Sequence, residues 1–197
     1  IKLILSVLWF ILIFLLIFLT VLSCFSCGED AKNTHIAGEV FGTSFSIKYD
    51  AKDKPDFQKQ FDSLFNEINK SMSTYIEDSN ISKINRDEDS IADVHFINVF
   101  KTSKDIFNET DGIFDPTIGT LVNAWSFGPE NKIANLDSIK IDSLMRFVGL
   151  NKVTLTDGKI IKPKGTFIDF NAIAKGYGVD VIGLFLESQG VENYLVE

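Results

Sequence analysis

Phe57, Phe61, Leu64, Phe65, Ile68 and Met72 recur at three- and four-residue steps, so Asp56 to Met72 can bury an apolar face only as an amphipathic helix. Pro55 and Asp56 suit its start. The preceding stretch, Ile36 to Tyr49, is rich in β-branched and aromatic residues around Gly38 and Gly42, and reads as a hairpin or paired strands. Ser73 to Ser90 is polar and irregular, a loop with one short helical turn near Ser79–Asn85. His95 to Glu109 is a second helix with Phe96, Val99, Phe100, Ile106 and Phe107 inward, and Gly112 can end it in a left-handed cap.

Asp115-Pro116 then opens a third helix, with Asp115 as N-cap, Pro116 at the first helical position, and Ile118, Leu121, Val122 and Trp125 on one face. Asp137 to Phe147 is a further short helix. Lys152–Thr156 and Lys159–Pro163 flank Asp157-Gly158, a strong hairpin-turn signal. Thr166 to Phe170 reads as a strand, and Ala172 to Gln189 as a helix closed by Gly190. Helices and strands mix without regular βαβ alternation, which gives an α+β fold with a single mixed domain.

The 197 residues suffice for one domain with a real core. Residues 3–22 are almost wholly apolar, broken by Ser6 and Thr20, and run into Val21-Leu22-Ser23-Cys24. Such a segment is long enough to cross a bilayer as a helix of ~20 residues, and it also reads as a secretory signal. The bacterial lipoprotein pattern fits loosely with Cys24 lipidated, Leu22 being bulkier than usual; Cys27 fits less well. Cleaved lipoprotein signal and uncleaved anchor helix both remain open, and both imply an exported, membrane-held domain. The organisation is thus 1–27 signal peptide or lipoprotein anchor, 28–35 tether, and 36–197 folded domain. Residue 1 is Ile, and the run from Val191 to Glu197 stops inside a strand-like pattern, so the sequence is expected to be the N-terminal part of a longer protein.

Both cysteines lie at the signal junction, and their Cys-x-x-Cys spacing lacks a second ligand pair or a surrounding βαβ unit. His35 and His95 lack metal-site spacing and read as ordinary surface or strand residues. A formal charge of −8 without a basic stripe argues against nucleic-acid binding.

Two segments set polar groups and glycines at the mouth of a predicted helix: Asp111 to Gly128, and Ile168 to Asp180. Lys175 falls in a first helical turn, where a cation is unfavourable by ~0.3–1 kcal/mol unless an anion offsets it. The free first-turn amides are anion donors too. Lys175 and these amides make a phosphate site, Asp169 can accept from a donor on the same ligand, and Asn171 can serve as N-cap. The plainer reading is a surface lysine on an ordinary helix. Gly176, Gly178 and Gly183 each cost the helix ~1 kcal/mol against Ala; close approach of a backbone or ligand, or helix–sheet packing, would account for them. Tyr75 in a polar loop either stacks on a flat ring, worth ~0.5–1.5 kcal/mol beyond area, or anchors the loop. Phe114 and Trp125 are by composition core residues.

Together with Met72-Ser-Thr-Tyr-Ile-Glu-Asp-Ser-Asn-Ile-Ser-Lys-Ile-Asn85, these segments resemble the FAD:protein FMN transferase (ApbE-like) family, in its order and rough spacing, from about Gly38 to the last residue. The resemblance implies transfer of FMN from FAD to a Thr or Ser of a target protein through a phosphoester bond, with release of AMP and a need for Mg2+. It implies FAD contacts at Asp169 and Lys175, Tyr75 lining the FAD pocket, and the flavin against Ile113, Phe114 and Asp115. The Ala172 carbonyl would touch the metal. Phe41 stands where the family often has Met, and a large apolar side chain could still pack on the isoalloxazine. The family's other metal ligands, an Asp pair and a Thr, lie in a C-terminal segment not present in this sequence. Catalytic residues are expected there, and these 197 residues alone are expected to be inactive.

Rival readings are a non-catalytic FAD-binding lipoprotein, a Mg2+-dependent FAD pyrophosphatase, and an exported α+β domain without a cofactor. By analogy with the family, the acceptor is a membrane redox subunit, such as those of sodium-pumping NADH:quinone reductases. The expected place is the periplasmic face of the bacterial inner membrane.

Overall fold

The computed structural model describes residues 9, 11–15, 33–50, 56–130, 133 and 135–197. The chain divides into Ile1–Lys32 and Asn33–Glu197. In the first unit residues 9 and 11–15 are helical. Among the described residues no helix is long and apolar enough to cross a membrane. The signal junction with Cys24 and Cys27, and residues 28–32 of the tether, lie outside the described residues.

The second unit begins with strands β1 (Asn33–Val40) and β2 (Thr43–Asp50), followed by helices α1 (Gln58–Met72), α2 (Asn80–Asn85), α3 (Val94–Glu109), α4 (Gly119–Ala124) and α5 (Ser138–Met145). After a 3-10 turn over Leu150–Lys152 come β3 (Thr154–Thr156), β4 (Lys159–Ile161), α6 (Ala174–Ser188) and β5 (Tyr194–Val196). β1, β2 and β5 form one antiparallel sheet with β2 in the middle, and β3 and β4 form a separate hairpin. The mixed α+β architecture agrees with the sequence reading.

The helix spacing read in α1 is realised in two halves. Phe57, Phe61 and Phe65 join Ile36, Ile47 and Tyr49 of the sheet and Ile182 and Leu186 of α6 in one buried cluster. Ile68 and Met72, a turn or more further on, belong to a second cluster with Ile81, Ile84, Phe96, Phe100, Leu150, Ile168 and Phe170. The Phe57 and Phe61 rings meet the Phe185 ring edge-on, with centroids 5.2 and 5.7 Å apart. Phe41 packs against both clusters. α1 therefore fixes the β1–β2 turn and α6 relative to one another.

Several sequence expectations need correction. The third helix starts at Gly119, not after Asp115, and its N-cap is Ile118. Asp115 instead closes a turn: Oδ1 accepts from the Thr117 N–H (2.8 Å) and the Thr117 hydroxyl (2.6 Å). The expected apolar face is also wrong, since Gly119, Asn123 and Ala124 are buried while Ile118 and Trp125 are exposed. Thr166 to Phe170 is extended but is no strand; a single parallel bridge, Ile118 to Phe167, joins it to a neighbour. The last helix begins at Ala174, with Ile173 and not Asn171 at the N-cap. His95 is neither a surface nor a strand residue, as it lies half-buried in α3.

Candidate functional site

The β1–β2 turn, the C-terminal end of α1 and the N-terminal end of α6 surround a cavity of about 390 Å3. Phe41 and Gly42 come from the turn, Asn69 and Met72 from α1, Ser73 and Tyr75 from the loop after it, and Asn171, Ala174 and Lys175 from the approach and first turn of α6. The cavity thus gathers Phe41, Tyr75 and Lys175 of the residues expected from sequence.

Phe41 is the least conventional of them. Its φ is +54° and that of Gly42 is +70°, so the two make the paired left-handed turn that a two-residue hairpin demands. Asn or Asp normally takes the first position, and a phenylalanine there carries about 1–2 kcal/mol of strain. What the strain sustains is the ring's place. It packs edge-on against Phe65, with centroids 5.7 Å apart, and lies so close to Gly178 of α6 that a Cβ there would come within 2.9 Å of its Cε2. Gly178 is therefore a close-approach glycine. Gly183 likewise faces the Tyr194 ring, whereas a Cβ on Gly176 would meet open space.

Tyr75 is 63 % exposed, and only its tip is tied down, the hydroxyl donating to the Phe127 carbonyl at 3.0 Å. The ring face is left available, which suits stacking better than anchoring alone. Lys175 occupies the second position of α6, whose N-cap Ile173 supplies no side-chain bond and whose first turn holds no acid. Among the described residues it forms neither an ion pair nor a hydrogen bond. The Ala174 N–H donates to the Phe170 carbonyl (2.8 Å), which leaves the Lys175 and Gly176 N–H groups without a partner among the described residues. An exposed, unneutralised cation beside two such amides is electrostatically suited to an anion.

The other expected residues do not line this cavity. Asp169 is buried; its Oδ1 accepts from the Asn171 N–H (2.7 Å), and its own N–H donates to the Pro116 carbonyl (2.8 Å). Its Oδ2 has no hydrogen-bond partner among the described residues. Asp115 is more fully engaged, Oδ2 receiving the Leu150 N–H at 3.1 Å. Ile113 is 90 % exposed, Phe114 half-buried and Ala172 exposed. The Asp169–Pro116 bond fastens the turn bearing Asp115 to the segment leading into α6. No three His, Cys, Asp or Glu side chains among the described residues cluster as a metal site.

Sequence reasoning missed two features. Asn69 sits four residues after Phe65, on the same face of α1, and the polar break in that stripe was its only signal. The second is a contact across α3 and α6, where His95 Nδ1 lies 2.8 Å from the Tyr177 hydroxyl and Nε2 lies 3.9 Å from Glu67. Residues 82 positions apart give no local signal of such a pairing.

Residues 41–197 match the ApbE family. The chain belongs to the ApbE family. Among curated relatives, the FAD:protein FMN transferase of Vibrio cholerae is 34% identical over 183 residues, covering 87% of this chain and 54% of that protein. That of Haemophilus influenzae is 29% identical over 194 residues, covering 89% and 55%. The chain spans about half the length of the curated relatives it matches. Among solved structures, the flavin transferase ApbE from Vibrio cholerae superposes with a TM-score of 0.79 at 32% identity, over 85% of this chain and 57% of that one. The apo form of Pseudomonas stutzeri flavinyl transferase ApbE gives 0.78 at 25% identity, over 84% and 56%. The mixed helix-and-sheet layout of this ApbE-family chain is thus that of solved flavin transferases.

Proposed function

We propose that this chain carries the FAD-binding part of an FAD:protein FMN transferase. One juxtaposition carries the reading: the rings of Phe41 and Tyr75 and the unneutralised ammonium of Lys175 line a single cavity. An isoalloxazine between aromatic walls gains ~0.5–1.5 kcal/mol per ring contact beyond burial. The diphosphate then falls to the Lys175 ammonium and the unpartnered N–H groups of Lys175 and Gly176, and the open Oδ2 of Asp169 accepts from a donor on the flavin or ribose.

In the proposed reaction the hydroxyl oxygen of an acceptor Thr or Ser attacks the phosphorus on the FMN side. A new P–O ester forms, the bond to the bridging oxygen breaks, AMP departs with that oxygen, and the hydroxyl proton passes to solvent or a base. Positioning and charge neutralisation dominate such chemistry. Lys175 supplies charge neutralisation, and the aromatic walls hold the flavin. Magnesium belongs to the proposal through the family resemblance; when bound it would neutralise phosphate charge, and Ala172 could offer it a backbone carbonyl. The acceptor is proposed to be a membrane redox subunit, met on the export side of a bacterial membrane by a protein tethered through Cys24 or an uncleaved helix. Residues 1–197 alone are proposed to transfer no FMN.

The test is to incubate the complete gene product with FAD, Mg2+ and a candidate acceptor domain. Covalent FMN on the acceptor with matching AMP supports transfer. Free FMN plus AMP would instead mark an FAD pyrophosphatase, and bound FAD without turnover a flavin-binding lipoprotein.

A further inference from the structure

The extended segment Thr166 to Phe170 carries Asp169 yet, among the described residues, has no strand beside it along most of its length. Its partner is a side chain. The Ile168 N–H donates to Asn85 Oδ1 at 2.8 Å, and Asn85 Nδ2 donates to the Ile168 carbonyl at 2.8 Å. Both backbone polar groups of Ile168 are thereby satisfied by one amide from the end of α2, standing where a neighbouring strand would be. A planar amide, with acceptor and donor side by side, matches this pair, and only one orientation of the amide fits.

We propose that Asn85 is a positioning residue for FAD binding, setting the Asp169 carboxylate by clamping Ile168; this rests on the reading of Asp169 as an FAD contact. Ile168 and Phe170 are fully buried, so in an extended segment Asp169 projects to the opposite side. The Asn85 amide grips the residue before it, and the Pro116 carbonyl accepts its own N–H at 2.8 Å. The carboxylate's base is thus held on both sides. Asn85 is itself pinned. The Lys162 ammonium, on a side chain only 3 % exposed, donates to Asp87 Oδ1 (2.6 Å) and to the Asn85 carbonyl (3.3 Å), closing the end of α2. Ser79 caps the other end through the Ser82 N–H.

Asn85→Asp separates positioning from general structure. A protonated carboxyl offers the same acceptor–donor pair as the amide, whereas a carboxylate sets a second acceptor against the Ile168 carbonyl. The charged groups around position 85 are Lys162 and Asp87 at the helix end, Asp169 beyond Ile168, Arg86, which Glu88 already holds in a two-point ion pair, and Glu77 and Glu130, which line a shared cavity with Asn85 and Arg86 and would add to the rise. Repulsion from the Ile168 carbonyl raises the new carboxyl's pKa, while Lys162 opposes that rise.

FAD affinity is measured by flavin titration for the complete wild-type protein, Asn85→Asp, Asp169→Asn and the double variant, at about pH 5 and about pH 8. The expected result is an Asn85→Asp affinity roughly tenfold or more below wild type at pH 8, recovering toward it at pH 5, with no further loss in the Asp169→Asn background. A pH-independent loss, or a loss that persists undiminished without the Asp169 carboxylate, overturns the proposal. Should Asn85→Asp fail to fold at the higher pH, Asn85→Ser removes the clamp without adding charge, and wild-type FAD affinity in that variant overturns it equally. Asp169→Asn alone tests the underlying contact. If it binds FAD as wild type does, contact and proposal both fall; if it binds weakly while Asn85 and Asp169 prove uncoupled, only the positioning role does.

Discussion

Lys175→Gln should stabilise the free protein while weakening its FAD complex. The lysine stands at the second position of α6, with no acid in the first turn and no anionic partner among the described residues. A cation at that end of a helix costs about 0.3–1 kcal/mol at an exposed site. Lys and Gln hardly differ in helix propensity, so the substitution should recover most of that cost. With a urea m-value of ~1–3 kcal/mol/M, the midpoint rises by about 0.1–1 M. The complex should respond with the opposite sign. Losing a charge-assisted hydrogen bond to the diphosphate costs about 1.5–3 kcal/mol, which raises Kd roughly 10- to 150-fold.

The assay is urea denaturation followed by tryptophan fluorescence, with and without FAD, beside a direct flavin titration. Ligand linkage makes the two readouts check each other, because stabilisation by FAD shrinks as Kd rises. A surface lysine with no ligand would change stability alone. Unaltered FAD affinity in Lys175→Gln would refute the diphosphate contact, and a lowered midpoint without FAD would refute the electrostatic argument behind it.

Gly178→Ala should weaken FAD binding by driving the Phe41 ring from its place, since the new Cβ would stand 2.9 Å from Cε2. The helix gains ~1 kcal/mol from the alanine against ~1–3 kcal/mol of overpacking, so denaturation should register a net loss of about 1 kcal/mol. Phe61→Ala, at a fully buried position inside the aromatic cluster, should cost about 3–5 kcal/mol by the same measurement. The Tyr194 hydroxyl donates to the Glu187 carboxylate at 2.7 Å, and that bond lifts the phenol above the ordinary tyrosine range. A raised folded-state value stabilises fully below the unfolded pKa and is lost as pH climbs through the folded one. Spectrophotometric titration should therefore show one late-ionising tyrosine in the wild type, absent from Tyr194→Phe.

Legibility in the sequence followed the locality of the cause. The Asp157-Gly158 turn was readable because both residues favour the left-handed region that the hairpin requires, and their φ values are +50° and +74°. α1 was readable because one stripe of six apolar residues serves both clusters. Phe41 adopts the same backbone conformation against its own preference, under packing from Phe65 and α6, and no pattern around residue 41 announces that. The segment before Asp169 read as a strand because Thr, Phe and Ile favour extended backbone, but the amide of Asn85 took the partner strand's place. Asp115 looked like a helix cap because Asp-Pro commonly is one; its second oxygen is instead drawn to the Leu150 N–H, 35 residues away. Lys175 stood out in the sequence because its oddity is local, a cation in a first turn without an acid.

A crystal structure of the complete protein with FAD tests the central claim most directly. The account predicts the isoalloxazine against Phe41 and Tyr75, with the diphosphate within hydrogen-bonding reach of the Lys175 ammonium and the Lys175 and Gly176 N–H groups. Flavin bound elsewhere on the domain, with Lys175 still facing solvent, would contradict it.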